Sequence, residues 1–204
     1  MRPPVPRLVP ILPGQDPDAV QKAKAALAAG APALLLREPG LAGGPLLELA
    51  RALRGPARER GALLLISDRV DVAAIAGAEG VHLPSRGLAV AEAREMLGKD
   101  ALVGRSCHDR EELIRAADEG ADYAFLSPLF ETQSHADRPA LGVDAFAAAV
   151  RGITLPVLAL GGITAERVPG ALGAGAHGVA AISAILGAPD PGLAARSFLE
   201  QLQG

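Results

Sequence analysis

The segment PVLALGGITAERVPGALGAGAHGVAAISAI, residues 156–185, decides the fold. Val157–Leu160 is a continuous apolar run, as in a parallel strand covered on both faces. It breaks at Gly161-Gly162, after which Thr164, with Glu166 in the first turn, opens a helix over about 164–173. Gly175 closes that helix, and a second apolar run, Gly178–Ser183, follows. This is one strand–helix–strand crossover, the unit that joins parallel strands.

Working outward, the same unit recurs along the chain. The other strand candidates are Leu8–Leu12, Ala33–Arg37, Leu63–Asp68, Gly80–Leu83, Leu102–Ser106 and Tyr123–Ser127. Helix candidates lie between and after them, at about 17–29, 44–60, 70–77, 89–97, 109–119, 142–150 and 190–202. Asp16, with Pro17 behind it, and Asp109 are placed to cap two of these helices. Eight such units in 204 residues predict an α/β fold, a (β/α)₈ TIM barrel forming a single domain over 1–204. An open doubly wound sheet is the structural alternative. Glu131–Ala140 is too long and polar for a minimal strand-to-helix turn and reads as a lid.

Composition narrows the function classes. Half the residues are apolar and the net charge is −3, which describes a soluble globular protein with no broad attraction to nucleic acid or anionic membrane. There is no Trp and one Tyr, too few rings for a base-stacking platform. The single cysteine, Cys107, excludes an intrachain disulfide and points to a reducing cytoplasm. The N-terminus lacks a signal-peptide apolar core, and no run approaches the ~20 apolar residues of a membrane helix. The three lysines, Lys22, Lys24 and Lys99, all fall away from strand ends, which disfavours Schiff-base chemistry. The sequence leaves a homo-oligomer open.

In a barrel, chemistry gathers at the C-terminal ends of the strands. Those ends read Arg37-Glu38, Ser67-Asp68-Arg69, His82 to Ser85, Arg105 to His108, Ser127, Gly161-Gly162 and Ser183, a polar rim on an apolar barrel. Gly161, Gly162 and Ser183 suit a phosphate, because bare glycines let backbone N–H groups approach an anion and this rim sector is the fold's usual phosphate site. Arg37 would either clamp a carboxylate or phosphate of the substrate or pair with Glu38 or Asp68. Asp68 is a ligand, base or partner of Arg69, or else a helix N-cap. Adjacent strand residues face opposite ways, so Ser106, Cys107 and His108 cannot converge as a triad, and Ser106 is left as a hydrogen-bonding group for substrate. His82 is either a substrate-binding or a core histidine, His177 lies on the far side of the barrel, and His135 sits in the lid segment. No His, Cys and carboxylate cluster has metal-ligand spacing, and Asp68 alone suits only Mg²⁺ held largely by substrate phosphates.

Three stretches, LLISDRVDVAAIAGAEGVHLP at 64–84, VGRSCHDREELIRAADEGADYAFLSPLFET at 103–132 and the opening segment, resemble the thiamine phosphate synthase/TenI superfamily over nearly the whole chain. The resemblance implies a barrel that binds a thiazole phosphate through Gly161, Gly162 and Ser183. Synthases of that superfamily also bind a pyrimidine pyrophosphate with Mg²⁺ through a Q-x-R-x-K strand end, which here reads Leu35-Leu36-Arg37-Glu38-Pro39. The family's second metal-binding Asp falls on Gly87, and its T-x-[ST]-K loop reads Thr132-Gln133-Ser134-His135.

These departures turn the expectation towards the TenI-type thiazole tautomerase, an isomerase that aromatises a carboxythiazole phosphate without metal. In that reading His135 and Ser106 are catalytic, while Arg37, Asp68, His82, Thr132, Gly161, Gly162 and Ser183 bind substrate. One residue disagrees: Pro128 stands where the tautomerase pattern has a histidine. The alternatives are a thiamine phosphate synthase using Asp68 and Mg²⁺, and a non-catalytic thiazole-phosphate-binding regulatory protein.

Overall fold

The computed structural model describes residues 1–12, 16–132 and 139–203. Its strands are β1 (Leu8–Leu12), β2 (Ala33–Leu36), β3 (Leu63–Ser67), β4 (Gly80–Leu83), β5 (Leu102–Cys107), β6 (Tyr123–Leu126), β7 (Val157–Ala159) and β8 (Gly178–Ala181). The helices are α1 (Ala19–Ala28), α2 (Gly43–Arg58), α3 (Val70–Ala76), α4 (Val90–Leu97), α5 (Arg110–Asp118), α6 (Gly142–Val150), α7 (Val168–Gly173) and α8 (Pro191–Gln203). The strands are parallel and follow chain order around a closed barrel, β8 pairing back onto β1 through Leu8↔Val179 and Pro10↔Ala181. The (β/α)₈ expectation holds, and the open-sheet alternative is ruled out by that closing pair. Among the described residues no helix is long and apolar enough to cross a membrane.

Alternation along each strand sorts the apolar residues into two shells. Leu8, Leu34, Leu36, Leu64, Ile66, Val81 and Val103 point outward and pack under the helices with Leu46, Leu53, Phe146 and Phe198. Val9, Ile11, Leu35, Leu65, Leu102, Tyr123, Phe125 and Leu158 point inward and fill the barrel. Each inward series then continues to the rim, where Arg37, Ser67 and Ser127 take the same face as Leu35, Leu65 and Phe125 two positions before them, and His82 and Ser106 the same face as Gly80 and Gly104.

Local chemistry moved several ends. Asp109 caps α5, its carboxylate accepting from the Glu112 backbone N–H at 2.8 Å. Asp16 does not cap α1: Asp18 holds that position, while Asp16 accepts from the Asp18 N–H at 2.9 Å and pairs with Lys22 at 2.6 Å. The helix after the glycine pair starts as a 3₁₀ turn, Ala165–Arg167, with α7 beginning only at Val168. β8 stops at Ala181, so Ser183 belongs to the following turn rather than to the strand.

The barrel interior is closed by one large ring. Tyr123 is fully buried and sits in register with Gly104 of the neighbouring strand. A Cβ on Gly104 would stand 2.5 Å from Tyr123 Cε2, so the glycine is what makes room for the ring. Gly104→Ala is therefore expected to destabilise the protein by about 1–3 kcal/mol through overpacking. Urea unfolding of the two proteins measures it, and an unchanged midpoint would refute the close packing.

Candidate functional site

The C-terminal mouth of the barrel holds three communicating lobes. The central one is a cavity of about 380 Å³, walled by Ile11, Leu35 and Phe125 and by the polar side chains of Arg37, Ser67, His82, Ser106, His108 and Ser127. Through Leu160 and Ile182 it continues into a small recess of about 50 Å³ formed by Thr132, Gly161, Gly162, Ile163, Ser183 and Ala184. On the opposite side, across Arg37, Ser67 and Pro84, it opens into a lobe of about 220 Å³ that also contains Glu38, Asp68 and Arg69.

The recess is built for an anion. Gly161 and Gly162 have φ of +97° and +61°, left-handed conformations that a side chain would strain. Among the described residues no acceptor takes the backbone N–H of Gly162, Ile163, Ser183 or Ala184. Donors gathered around a small concave space, with no carboxylate in its lining, suit phosphate oxygens.

The centre of the mouth is organised by His82. Its ring is 3% exposed, stacks on Phe125 with centroids 4.0 Å apart, and lies within hydrogen-bond distance of Ser106 Oγ at 2.9 Å and the Tyr123 hydroxyl at 3.3 Å. Burial, reinforced by the positive charges of Arg105 and Arg37, pushes its pKa down to about 3, so the imidazole is neutral at physiological pH. Burial also drives the Tyr123 phenol further above its ordinary value, which keeps it a neutral hydroxyl. Ser106 is thus presented to the cavity on a fixed neutral support. His108 shares the mouth, its Nδ1–H donating to the Ser127 carbonyl at 3.0 Å.

Cys107 faces the outer shell, and burial, with Glu112 as the next contributor, pushes its thiol up to about 12, so it is no nucleophile. Arg105 also points outward, donating to the Leu88 and Ser85 carbonyls. His177 binds the Val5 carbonyl at 3.2 Å, remote from the mouth.

Arg37 and Asp68 come out differently from their structural readings. Among the described residues Arg37 makes no ion pair, neither with Glu38 nor with Asp68, and it projects into both larger lobes. Arg69 pairs with Asp71 at 2.6 Å rather than with Asp68. Asp68 is not a helix cap either, since Arg69 occupies that position on α3. Its φ is +65°, a conformation uncommon for a residue with a side chain, fixed by its N–H on the His82 carbonyl at 2.9 Å. Thr132 lines the recess; His135 lies outside the described residues. The sequence reading placed Ser67, His108 and Ser127 on the rim without giving them a role in the site, and it missed the ring support from Tyr123 and Phe125. Counting two residues at a time up each strand would have found all but His108, which follows the end of β5.

A closed α/β barrel with a polar mouth and a recess of backbone donors has the shape that a small anionic ligand would need. Comparison with known proteins makes this specific. The thiamine monophosphate synthase family model matches residues 8–185. A putative thiamine-phosphate synthase of Geobacter sulfurreducens is 47% identical over 187 residues, covering 91% of this chain and 87% of its own. The thiamine-phosphate synthase of Methanoculleus marisnigri is 44% identical over 181 residues, covering 88% and 86%. A solved thiamine phosphate pyrophosphorylase of Pyrococcus furiosus superposes with a TM-score of 0.87 at 30% identity, over 97% of this chain and 95% of that one. The chain belongs to the thiamine monophosphate synthase family of thiamine biosynthesis.

This corrects the expectation of a TenI-like tautomerase. The relatives carry the name of a synthase, a transferase, and not of an isomerase. The departures at Gly87 and around Arg37 were read as loss of the synthase reaction, yet relatives up to 47% identical keep the synthase name.

The magnesium that the family implies can be tested against the donor set. Among the described residues no group of three His, Cys, Asp or Glu could hold a metal. A carboxylate at Gly87 is excluded by packing, because a Cβ there would lie 2.8 Å from the Pro84 ring. Asp68, beside Glu38 in the charged lobe, fits magnesium in the mode where substrate phosphates supply most of the ligands.

The buried imidazole has a measurable consequence. In the unfolded chain His82 titrates near 6.5, and in the folded protein near 3. Between those values the unfolded chain binds the extra proton, so the stability present above pH 6.5 is lost as pH falls towards 3. At about 1.4 kcal/mol per pH unit, the wild type is expected to lose about 2 kcal/mol more between pH 7 and pH 5 than His82→Gln does. Parallel urea titrations of the two proteins at both pH values decide it, and equal losses would mean that His82 is charged or solvated.

Proposed function

We propose that this protein is a thiamine phosphate synthase, joining a pyrimidine carried as its pyrophosphate to a thiazole phosphate and releasing pyrophosphate. The observation that carries the reading is the arrangement of the mouth: a recess of backbone donors at one end, a lobe containing Arg37 at the other, and a heterocycle-sized cavity between. Cavities of about 300–1,000 Å³ are typical of small-ligand sites. A single-anion substrate would use only one of the two charged ends.

In this reading the backbone amides of Gly162 and Ser183, with Thr132, hold the thiazole phosphate and point its ring into the central cavity. Phe125, Leu35 and Ile11 wall off the reacting rings from water. Ser106, supported by His82, orients a polar edge of the pyrimidine. Arg37 takes the pyrophosphate, and its positive charge favours the negative charge that builds as the carbon–oxygen bond breaks. Asp68 would hold a magnesium carried in on the pyrophosphate, which when bound neutralises the leaving group. His82 and Ser106 position and do not ionise, consistent with a reaction in which a ring nitrogen displaces pyrophosphate without needing a strong base.

A second reading, a thiazole-phosphate-binding protein without turnover, draws on the lysines. Lys22 is paired with Asp16 on α1, Lys24 lies on the same helix, and Lys99 follows α4, so none is found in the lining of the charged lobe.

Incubating the protein with both substrates is expected to yield thiamine phosphate in the presence of Mg²⁺ and none after chelation. Arg37→Ala is expected to lower kcat/KM by about 10²-fold while leaving thiazole phosphate affinity within about threefold. Thiazole phosphate binding without product at any Mg²⁺ concentration would establish the second reading instead.

A further inference from the structure

The recess owes its shape to a residue outside it. Arg167 ends the 3₁₀ turn after the glycine pair, is exposed, and does not line the recess. Its Nη1 nevertheless donates to the Gly162 carbonyl at 2.6 Å, and its guanidinium carbon sits 4.7 Å over the centre of the Phe130 ring. Phe130 belongs to the stretch 127–132 that follows β6, whose last residue, Thr132, reaches the recess.

Three consecutive carbonyls of the turn are held from the same stretch or from Arg167. Leu160 O accepts from the Leu129 N–H at 2.8 Å, Gly161 O from the Phe130 N–H at 3.0 Å, and Gly162 O from Arg167. In a trans peptide the carbonyl of one residue and the N–H of the next point in opposite directions. Fixing these three carbonyls therefore turns the N–H groups of Gly161, Gly162 and Ile163 the other way, and all three residues line the recess. The first two peptide planes are set by backbone bonds. The third, which carries the Ile163 N–H, is set by one side chain.

The contact between stretch and turn is also tight. A Cβ on Gly161 would stand 2.7 Å from Pro128 Cα, and one on Gly162 would stand 2.8 Å from Phe130 Cβ and collide with the Glu131 carbonyl oxygen. The Leu141 and Gly142 N–H groups bond the Pro128 and Leu129 carbonyls at 2.9 and 3.0 Å, which ties the start of α6 to the same stretch. The recess floor and the stretch 127–132 are thus one packed unit, and Arg167 bridges them from the solvent side.

We propose that Arg167 is a positioning residue for phosphate binding: by holding the Gly162 carbonyl and stacking on Phe130, it aims the Ile163 N–H and seats Thr132 at the recess. This deepens the proposed function, since it concerns how the same recess selects a phosphorylated ligand. It gives Arg167 no contact with substrate.

Calorimetric titration of the full chain tests it with three probes: thiazole phosphate, the same thiazole as its free alcohol, and inorganic phosphate. Arg167→Ala is expected to weaken thiazole phosphate and inorganic phosphate about tenfold, the scale of one lost hydrogen bond to a charged group, and to leave the alcohol unchanged. Phe130→Leu, which removes the stack and no charge, is expected to weaken the two phosphate ligands about threefold, the scale of an exposed cation–π contact. Arg167→Lys keeps the charge without the planar stack and is expected to fall between wild type and Arg167→Ala. Full wild-type affinity in Arg167→Lys together with an unaffected Phe130→Leu would overturn the proposal in favour of simple charge attraction. Equal weakening of the alcohol and the phosphates in Arg167→Ala would overturn it in favour of a general structural role. If wild type binds inorganic phosphate but not thiazole phosphate, the functional reading fails, while the role of Arg167 is still read on inorganic phosphate.

Discussion

Closing eight parallel strands into a ring leaves no sheet edge and gives every strand residue one of two destinations, the barrel interior or the layer under the helices. The rest of the structure follows from that constraint. The interior has room for a limited set of side chains, and Tyr123, Phe125 and the aliphatic residues of β1, β2, β3 and β7 fill its lower part. Above them the same inward series must end in something that meets water, and in this chain it ends in Arg37, Ser67, His82, Ser106 and Ser127. Filling and function are successive residues of one alternating pattern. A one-residue slip in β3 or β4 would exchange Ser67 or His82 for the outward Ile66 or Val81.

The interior packing also sets the chemistry of the rim. Gly104 admits the Tyr123 ring, the Tyr123 hydroxyl meets His82 from one side, and Phe125 stacks on its face. Those neighbours remove water from the imidazole and hold it neutral, so it supports Ser106 without titrating at physiological pH. Burial does the same to Cys107 in the opposite sense, raising its thiol out of the reactive range. A sequence that places Ser, Cys and His in a row therefore presents no reactive thiol: Ser106 and His108 face the cavity, and the cysteine is packing.

The fold was legible because the information is periodic. Apolar runs recur eight times, most of the helices between them end at a glycine, and the element bounds follow within a few residues. The Gly161-Gly162 turn was legible because glycines without side chains at a strand end mark a tight turn, and the structure gives both a left-handed backbone. Less legible was anything decided by a contact between distant strands. That His82 meets Ser106, that Arg37 makes no ion pair among the described residues, and that Arg69 turns to Asp71 depend on register and side-chain direction, which residue order does not state. Asp68 appeared to be a cap because it precedes a helix; its left-handed backbone shows why it is not one. The activity was misjudged for a related reason. Substitutions were counted against a motif position by position, although charge at a diphosphate site is shared among an arginine, a carboxylate and the metal the substrate brings.

That sharing bears on how the two ends of the site differ. At the recess, recognition rests on backbone amides whose directions are fixed by peptide planes, so it tolerates changes in side chains but not in the turn or in what packs behind it. Gly161 and Gly162 allow no Cβ there, and Phe130 and Arg167 close the back. At the charged lobe recognition rests on side chains alone, and there this chain departs from the family's pattern at residues 35, 39 and 87. A turn whose direction is set by backbone bonds can persist while side chains at the opposite lobe change, and this chain keeps the family's fold and its Gly161-Gly162 turn alongside those departures.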